Sequence, residues 1–216
     1  MTLAVLADEL GKQELLSKGI SAGIEVIWAD SVRSLVMVDA DVYIDLLFEM
    51  DVEGTAKLKQ LLPKPVLVNA VTYSTKQIGA NFIRVNAWPG MLQRAVTEIA
   101  VKGDTLSDDV KNFFDQLQWK YQLVPDEPGM ITPRVLSMII NEAYFTLGDE
   151  VSSKEEIDIA MKLGTNYPLG PFEWSEKIGL KKIHELLTVL GKKDNRYIIA
   201  PALEKEINTK PNQYSF

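Results

Sequence analysis

The chain has 216 residues, 46% of them apolar and 25% charged, with a net charge of −7, no cysteine and a single histidine, His184. That is enough for one generous domain or two small ones with a sizeable core, and it excludes disulfides, a Cys nucleophile and transition-metal sites built from thiolates and imidazoles. The acidic balance, with no cluster of Lys and Arg, argues against nucleic acid or an anionic membrane as partner.

The opening "MTLAVLADEL" has no basic region before its apolar run, so it reads as a buried strand and not as a signal peptide. No stretch approaches the roughly 20 apolar residues that cross a bilayer, and the expected compartment is the cytoplasm. "GKQELLSKG" is helical in propensity and closes on Gly19. "IEVIWAD" is a second strand, its Asp30 read as a loop cap. "ADVYIDLLFE" is a third and longer strand, "VEGTAKLKQLL" an amphipathic helix, and "KPVLVNAVT" a fourth strand opened by Pro65. Apolar strands spaced by short helices predict a parallel sheet covered on both faces, the doubly wound α/β pattern. "NFIRVNAW" adds a strand, and "MLQRAVTEIAV" fits strand and helix equally poorly. "DTLSDDVKNFFDQL" is a helix capped by Ser107, and "KYQLVPD" an edge strand.

"PDEPG", residues 125–129, reads as a linker. Helices follow. Thr132 is expected to cap one that starts at Pro133, and "RVLSMIINEAYFTL" should be central and buried, being apolar on nearly all sides. "SSKEEIDIAMKLG" carries a capping box from Ser152 to Glu155 and a stop at Gly164. "LKKIHELLTVLG", where His184 reads as a structural residue, and "PALEKEI" complete the set. The expected organisation is an α/β domain over 1–125, a shortened Rossmann-like and mostly parallel sheet, followed by an all-helical domain over 126–216.

The strings "PGMITPR" and "NEAYFTLGDEVSSKEEIDIAMKLGTNYPLGPFEWSEKIGL" resemble the C-terminal domain of the 3-hydroxyacyl-CoA dehydrogenases. Their most specific part is a helix, a glycine-containing turn and Pro-x-Gly-Pro-Phe. Upstream, "ADVYIDLLFE" looks like that family's strand ending in a glutamate, here Glu49. "VLVNAVT" looks like the segment that lines the nicotinamide and the substrate hydroxyl, here Asn69 and Thr72. "NFIRVNAWPGMLQRAVTEI" looks like the strand carrying a catalytic His, with an orienting Glu twelve residues on; here Asn86 and Glu98 hold those places.

The resemblance implies NAD as cofactor, an acyl-CoA-type ligand near Thr72 and Thr132, and a homodimer formed through the helical domain. It also implies chemistry in which imidazole takes a hydroxyl proton while hydride leaves the same carbon, and a carboxylate holds the ring. The sequence departs from that pattern. Asn86 cannot act as a base, Pro133 replaces a family Asn, and "ADELGKQELL" has only Gly11 where a Gly-rich turn would hold a pyrophosphate. The expectation is therefore impaired or lost dehydrogenase activity, or a non-catalytic ligand-binding dimer. With no ring to orient, Glu98 reads as a solvated residue on an amphipathic segment. Asn86 either hydrogen-bonds a carbonyl in a retained acyl pocket or simply ends a strand.

Overall fold

The computed structural model describes residues 1–209. The chain divides into two units, Met1–Met130 and Ile131 onward. The first contains β1 (Thr2–Leu6), α1 (Glu9–Lys18), β2 (Glu25–Ala29), α2 (Val32–Met37), β3 (Val42–Asp45), α3 (Val52–Lys59), β4 (Val66–Val68), α4 (Thr75–Ile78), β5 (Ile83–Val85), β6 (Val96–Ala100), α5 (Asp108–Leu117) and β7 (Lys120–Leu123).

The strands form one sheet in the order β2-β1-β3-β4-β5-β6-β7. Only the β5–β6 pairing is antiparallel. Alternation along each strand feeds two cores. Leu3, Val5, Ile44, Leu67, Val85 and Ile99 pack with Leu15 of α1 and Phe113, Phe114 and Leu117 of α5. Ala4, Leu6, Tyr43, Val66 and Val68 pack on the other face with Leu35 of α2, Leu58 of α3 and Ile78 of α4. Helices on both faces are what apolar parallel strands require.

Several local expectations need correction. The third strand stops at Asp45 instead of running to Glu49. "MLQRAVTEIAV" resolves into a turn followed by β6, because Val96–Ala100 finds an antiparallel partner in β5. Ser107 stands at the N-cap of α5 but makes no side-chain cap bond. Residues 125–129 are no free linker. Arg84, wholly buried on β5, binds the Asp126 carboxylate at 2.8 Å and the Glu127 carbonyl at 3.3 Å, and the Gly129 N–H donates to the Val71 carbonyl. These bonds hold the segment to the first unit, and the division falls after Met130.

The second unit holds α6 (Thr132–Gly148), α7 (Lys154–Thr165), α8 (Pro171–Ile178), α9 (Leu180–Gly191) and α10 (Pro201–Thr209). Thr132 is itself helical, and the N-cap is Ile131, without a side-chain bond. Leu136, Ile140, Ala143 and Tyr144 of α6 are buried, but Val135 is exposed, so the helix has an outer face that its composition did not suggest. Tyr144 meets Phe172 edge to face at 5.0 Å. Asn141 donates to the Ile198 carbonyl and accepts from Ala200 N–H, pinning the approach to α10.

The capping box of α7 lies one residue later than expected, at Ser153 and Glu156. The helix runs through Gly164 and ends on Asn166, in the left-handed conformation. The Pro-Leu-Gly-Pro-Phe turn opens a helix that the sequence reading missed. The Asp158 carboxylate accepts from the N–H groups of Phe172 and Glu173, capping α8 from a neighbouring helix. A methyl group on Gly170 would collide with that carboxyl, so this position requires glycine. His184 sits half-buried on α9, Nε2 3.1 Å from Glu204 of α10, in a structural pair.

Candidate functional site

The strand order reverses between β1 and β3, and in doubly wound sheets ligands bind at the carboxyl ends of the strands beside that reversal. Here β1 leads through Ala7 into Asp8, and Asp8 caps α1: its carboxylate accepts from Gly11 N–H at 2.7 Å. The partner strand ends in Asp45, which is 1% exposed and accepts from Leu47 N–H at 3.0 Å. Burial pushes the Asp45 carboxyl up to about 7, opposed by the Leu47 N–H and reinforced by repulsion from Asp51 and Glu49. Asp51 in turn caps α3 through Gly54 N–H.

This geometry bears directly on a dinucleotide. A pyrophosphate needs unmet N–H groups at a helix N-terminus, a local positive field and a glycine beside which the phosphates approach closely. At α1 the Asp8 carboxylate already occupies the helix end, with Glu9 in the first turn. The space a Cβ would take at Gly11 is bounded by Asp8 Oδ1 at 3.0 Å, Ala7 Cβ at 3.3 Å and Leu46 Cδ1 at 3.3 Å. Three further acids, Asp45, Glu49 and Asp51, interact across the β3 end. The residues present do not fit the phosphates of NAD. Beside them lies an open hollow of about 450 Å³ lined by Ala7, Lys12, Trp28, Ala29, Asp30 and Ser34. Asp30 accepts from the hydroxyls of Ser34 at 2.6 Å and Ser31 at 3.1 Å, as a loop cap does. Those hydroxyls hold its carboxyl below the usual range. The Lys12 ammonium stands 5.6 Å from the Trp28 ring centre.

The second cluster lies at the ends of β4, β5 and β6. Asn86 follows β5 and Glu98 lies on β6. The antiparallel register sets them opposite each other, with Asn86 N–H donating to the Glu98 carbonyl at 3.0 Å. Their side chains meet, Asn86 Nδ2 to Glu98 Oε2 at 3.4 Å. Glu98 is 9% exposed and Asn86 3%, which corrects the expectation of a solvated glutamate. The turn after Asn86 is clamped by α1. Buried Glu14 accepts from Gly90 N–H at 2.6 Å and the Lys18 ammonium donates to the Arg94 carbonyl at 2.7 Å. Gly90, at φ +85°, allows that turn.

Asn69, expected at the cofactor, has its amide committed to backbone. It donates to the carbonyls of Leu46 and Ala87 and accepts from Ala87 N–H, tying the ends of β3, β4 and β5 together. Glu49 is exposed on the loop after β3. Thr72 is buried in the turn after β4. Thr132 is half-buried in the first turn of α6, in the second unit. Of the site residues read from the sequence, Asn86 and Glu98 are thus brought together and Asn69 supports the residue after Asn86.

Asp8, Asp45 and Arg84 were overlooked, though signals existed. Asp8 is an aspartate between an apolar strand and a helix, and Asp45 and Arg84 are lone charges inside apolar runs, "VYIDLL" and "FIRVN". No group of three or more His, Cys, Asp or Glu among the described residues could hold a metal ion. No described helix is long and apolar enough to cross a membrane.

The sequence pattern of the family described as "3-hydroxyacyl-CoA dehydrogenase, C-terminal domain" matches residues 129–212. A 3-hydroxybutyryl-CoA dehydrogenase of Clostridioides difficile is 42% identical over 86 residues, 39% of this chain and 31% of that protein. A probable 3-hydroxybutyryl-CoA dehydrogenase of Deinococcus radiodurans is 30% identical over 152 residues, 68% of this chain and 52% of that protein. The matched stretch thus spans about a third to a half of these relatives' length. The crystal structure of (S)-3-hydroxybutyryl-CoA dehydrogenase from Ralstonia eutropha superposes with a TM-score of 0.72 at 21% identity, covering 96% of this chain and 93% of that one. At that identity the likeness concerns the fold.

Proposed function

The chain belongs to the 3-hydroxyacyl-CoA dehydrogenase family, and from that premise we propose that it binds an acyl-CoA-type ligand without performing NAD-dependent hydride transfer. The observation that carries this reading is the Asn86–Glu98 pair: the carboxylate faces an amide, which neither gains nor loses a proton in the working range of pH. Removing a general base alone lowers a rate by about 10²–10⁴. The carboxylate seated at the N-terminus of α1 supports the same conclusion from the cofactor side, since it occupies the place a phosphate would need.

The test is a fluorescence titration with NADH, a thermal-shift assay with 3-hydroxybutyryl-CoA, and an assay of acetoacetyl-CoA reduction by NADH. The expected result is no saturable NADH binding up to about 1 mM, a raised Tm with the thioester, and no turnover. Turnover that disappears on Glu98→Gln would overturn the reading.

We also propose that the second unit pairs with a second copy of itself. Ile159 and Leu163, one helical turn apart on α7, are 52% and 82% exposed, and Val151 just before that helix is 71% exposed. Light scattering should give the mass of two chains. The mass of one chain would refute the pairing.

A further inference from the structure

One side of the sheet ends on β2, which pairs with β1 alone. The pairing is regular over all five residues, Glu25–Ala29, with no bulge. Glu25 N–H donates across to the Met1 carbonyl. Successive residues of a strand turn their backbone groups to opposite sides, so Val26 and Trp28 direct N–H and C=O outward, where no described strand lies. Such an edge is a template for a further strand, and proteins commonly blunt it with Lys, Pro or a bulge. At the opposite edge β7 carries the exposed Lys120. Along β2 there is no such device, and Val26, Ile27 and Trp28 are apolar and half-buried. Lys12 approaches the Trp28 ring from α1, which packs on a face of the sheet. The charges of residues 25–30 are two acids, Glu25 and Asp30, one at each end and both exposed.

We propose that β2 is a docking edge for an extended segment of a partner protein, added antiparallel, with a basic residue at each end and β-branched or aromatic residues between. The backbone groups of Val26 and Trp28 supply the main-chain bonds. Apolar side chains opposite Val26, Ile27 and Trp28 add cross-strand packing, and basic residues opposite Asp30 and Glu25 fix the register. Charge excludes a second copy of this chain as the occupant. Laid antiparallel so that Val26 meets Trp28, it would set each Glu25 beside the other copy's Asp30, acid against acid at both ends, between chains that each carry a net charge of −7. A basic segment meets the same two acids with attraction.

The test uses the full chain and a blocked, fluorophore-labelled peptide, Lys-Thr-Val-Thr-Val-Lys. Fluorescence anisotropy should show saturable binding with a Kd on the order of 100 μM or below. Glutamates in place of the two lysines should weaken it about tenfold, and so should proline in place of the first valine, which removes the N–H that meets Trp28. Amide exchange followed by NMR should slow about tenfold at Val26 and Trp28 when the edge is nine-tenths occupied, with no change in β7. Val26→Pro removes an outward N–H and no bond to β1, so this variant should keep its Tm and lose the peptide. Should it not fold, the exchange pattern of the unaltered chain decides. No saturable binding up to about 1 mM, equal affinity for the glutamate peptide, binding that survives Val26→Pro, or unchanged exchange at Val26 and Trp28 each overturns the proposal. So does a mass by light scattering, without peptide, that falls on Val26→Pro, since a second copy would then hold the edge.

Discussion

Arg84→Met is expected to lower the free energy of unfolding by about 3–5 kcal/mol, measured by urea denaturation followed through tryptophan fluorescence. The guanidinium is wholly buried. Its Nε donates to the Ala70 carbonyl at 2.8 Å, and NH2 to the Val71 carbonyl at 3.0 Å and to the Glu127 carbonyl at 3.3 Å. NH1 binds Asp126, whose carboxylate also accepts from the N–H and hydroxyl of Thr75. Methionine fills much of the volume but donates nothing. The buried Ala70 carbonyl would lose its donor, the Val71 carbonyl would keep only the Gly129 N–H, and a carboxylate with 16% side-chain exposure would lose its counter-charge. Because these bonds tie residues 126–129 to the sheet, the variant should also become sensitive to proteolysis in that segment. A loss below about 1 kcal/mol would mean that the ion pair behaves as an exposed one and that packing alone holds the segment.

Asp45→Asn is expected to stabilise the protein at pH 8 by roughly 4 kcal/mol and to leave it nearly unchanged at pH 4. The sign follows from the raised pKa. In the unfolded chain this carboxyl titrates at its ordinary value of 3.8, and in the folded chain at about 7. Between those values the native state binds more protons than the unfolded one, so the contribution of Asp45 to stability falls as pH rises through that window. Above it, the charged form remains buried against Glu49 and Asp51, and the deficit is constant. An amide keeps the bond from Leu47 N–H and carries no charge. The difference between wild type and variant isolates this group from the other carboxyls. A difference that does not change between pH 4 and pH 8 would show that Asp45 titrates normally.

Both residues show where reading along the chain stops. A charge inside "FIRVN" is visible as an exception to an apolar run, yet its partners lie 13 to 43 residues away and are chosen by the order of strands. The family resemblance placed Asn86 and Glu98 in correspondence, but the sequence read Glu98 as solvated. Only the antiparallel pairing of β5 with β6 puts the two residues face to face and buries them. Asn69 was singled out as a ligand-facing amide. The geometry of three strand ends instead commits both ends of that amide to backbone. The helical domain was read more closely, because its signals are local. Pro133 and the serine before α7 act within a few residues of themselves, and the errors there are shifts of one or two positions; helix α8, whose cap comes from Asp158 of α7, was missed.

By itself, then, the sequence determined the α/β sheet followed by helices, the absence of an imidazole base at position 86, and the lack of a glycine-rich turn after the first strand. These are matters of residue type and short-range periodicity, which the chain carries along its length. Tertiary structure decided which acids are buried, which amide oxygen is left without a donor, and that the helix end beside the strand reversal is closed by Asp8. Burial and hydrogen-bond partnership are set by elements that meet in space, and a charged or amide side chain has no fixed role until its neighbours across the sheet are in place.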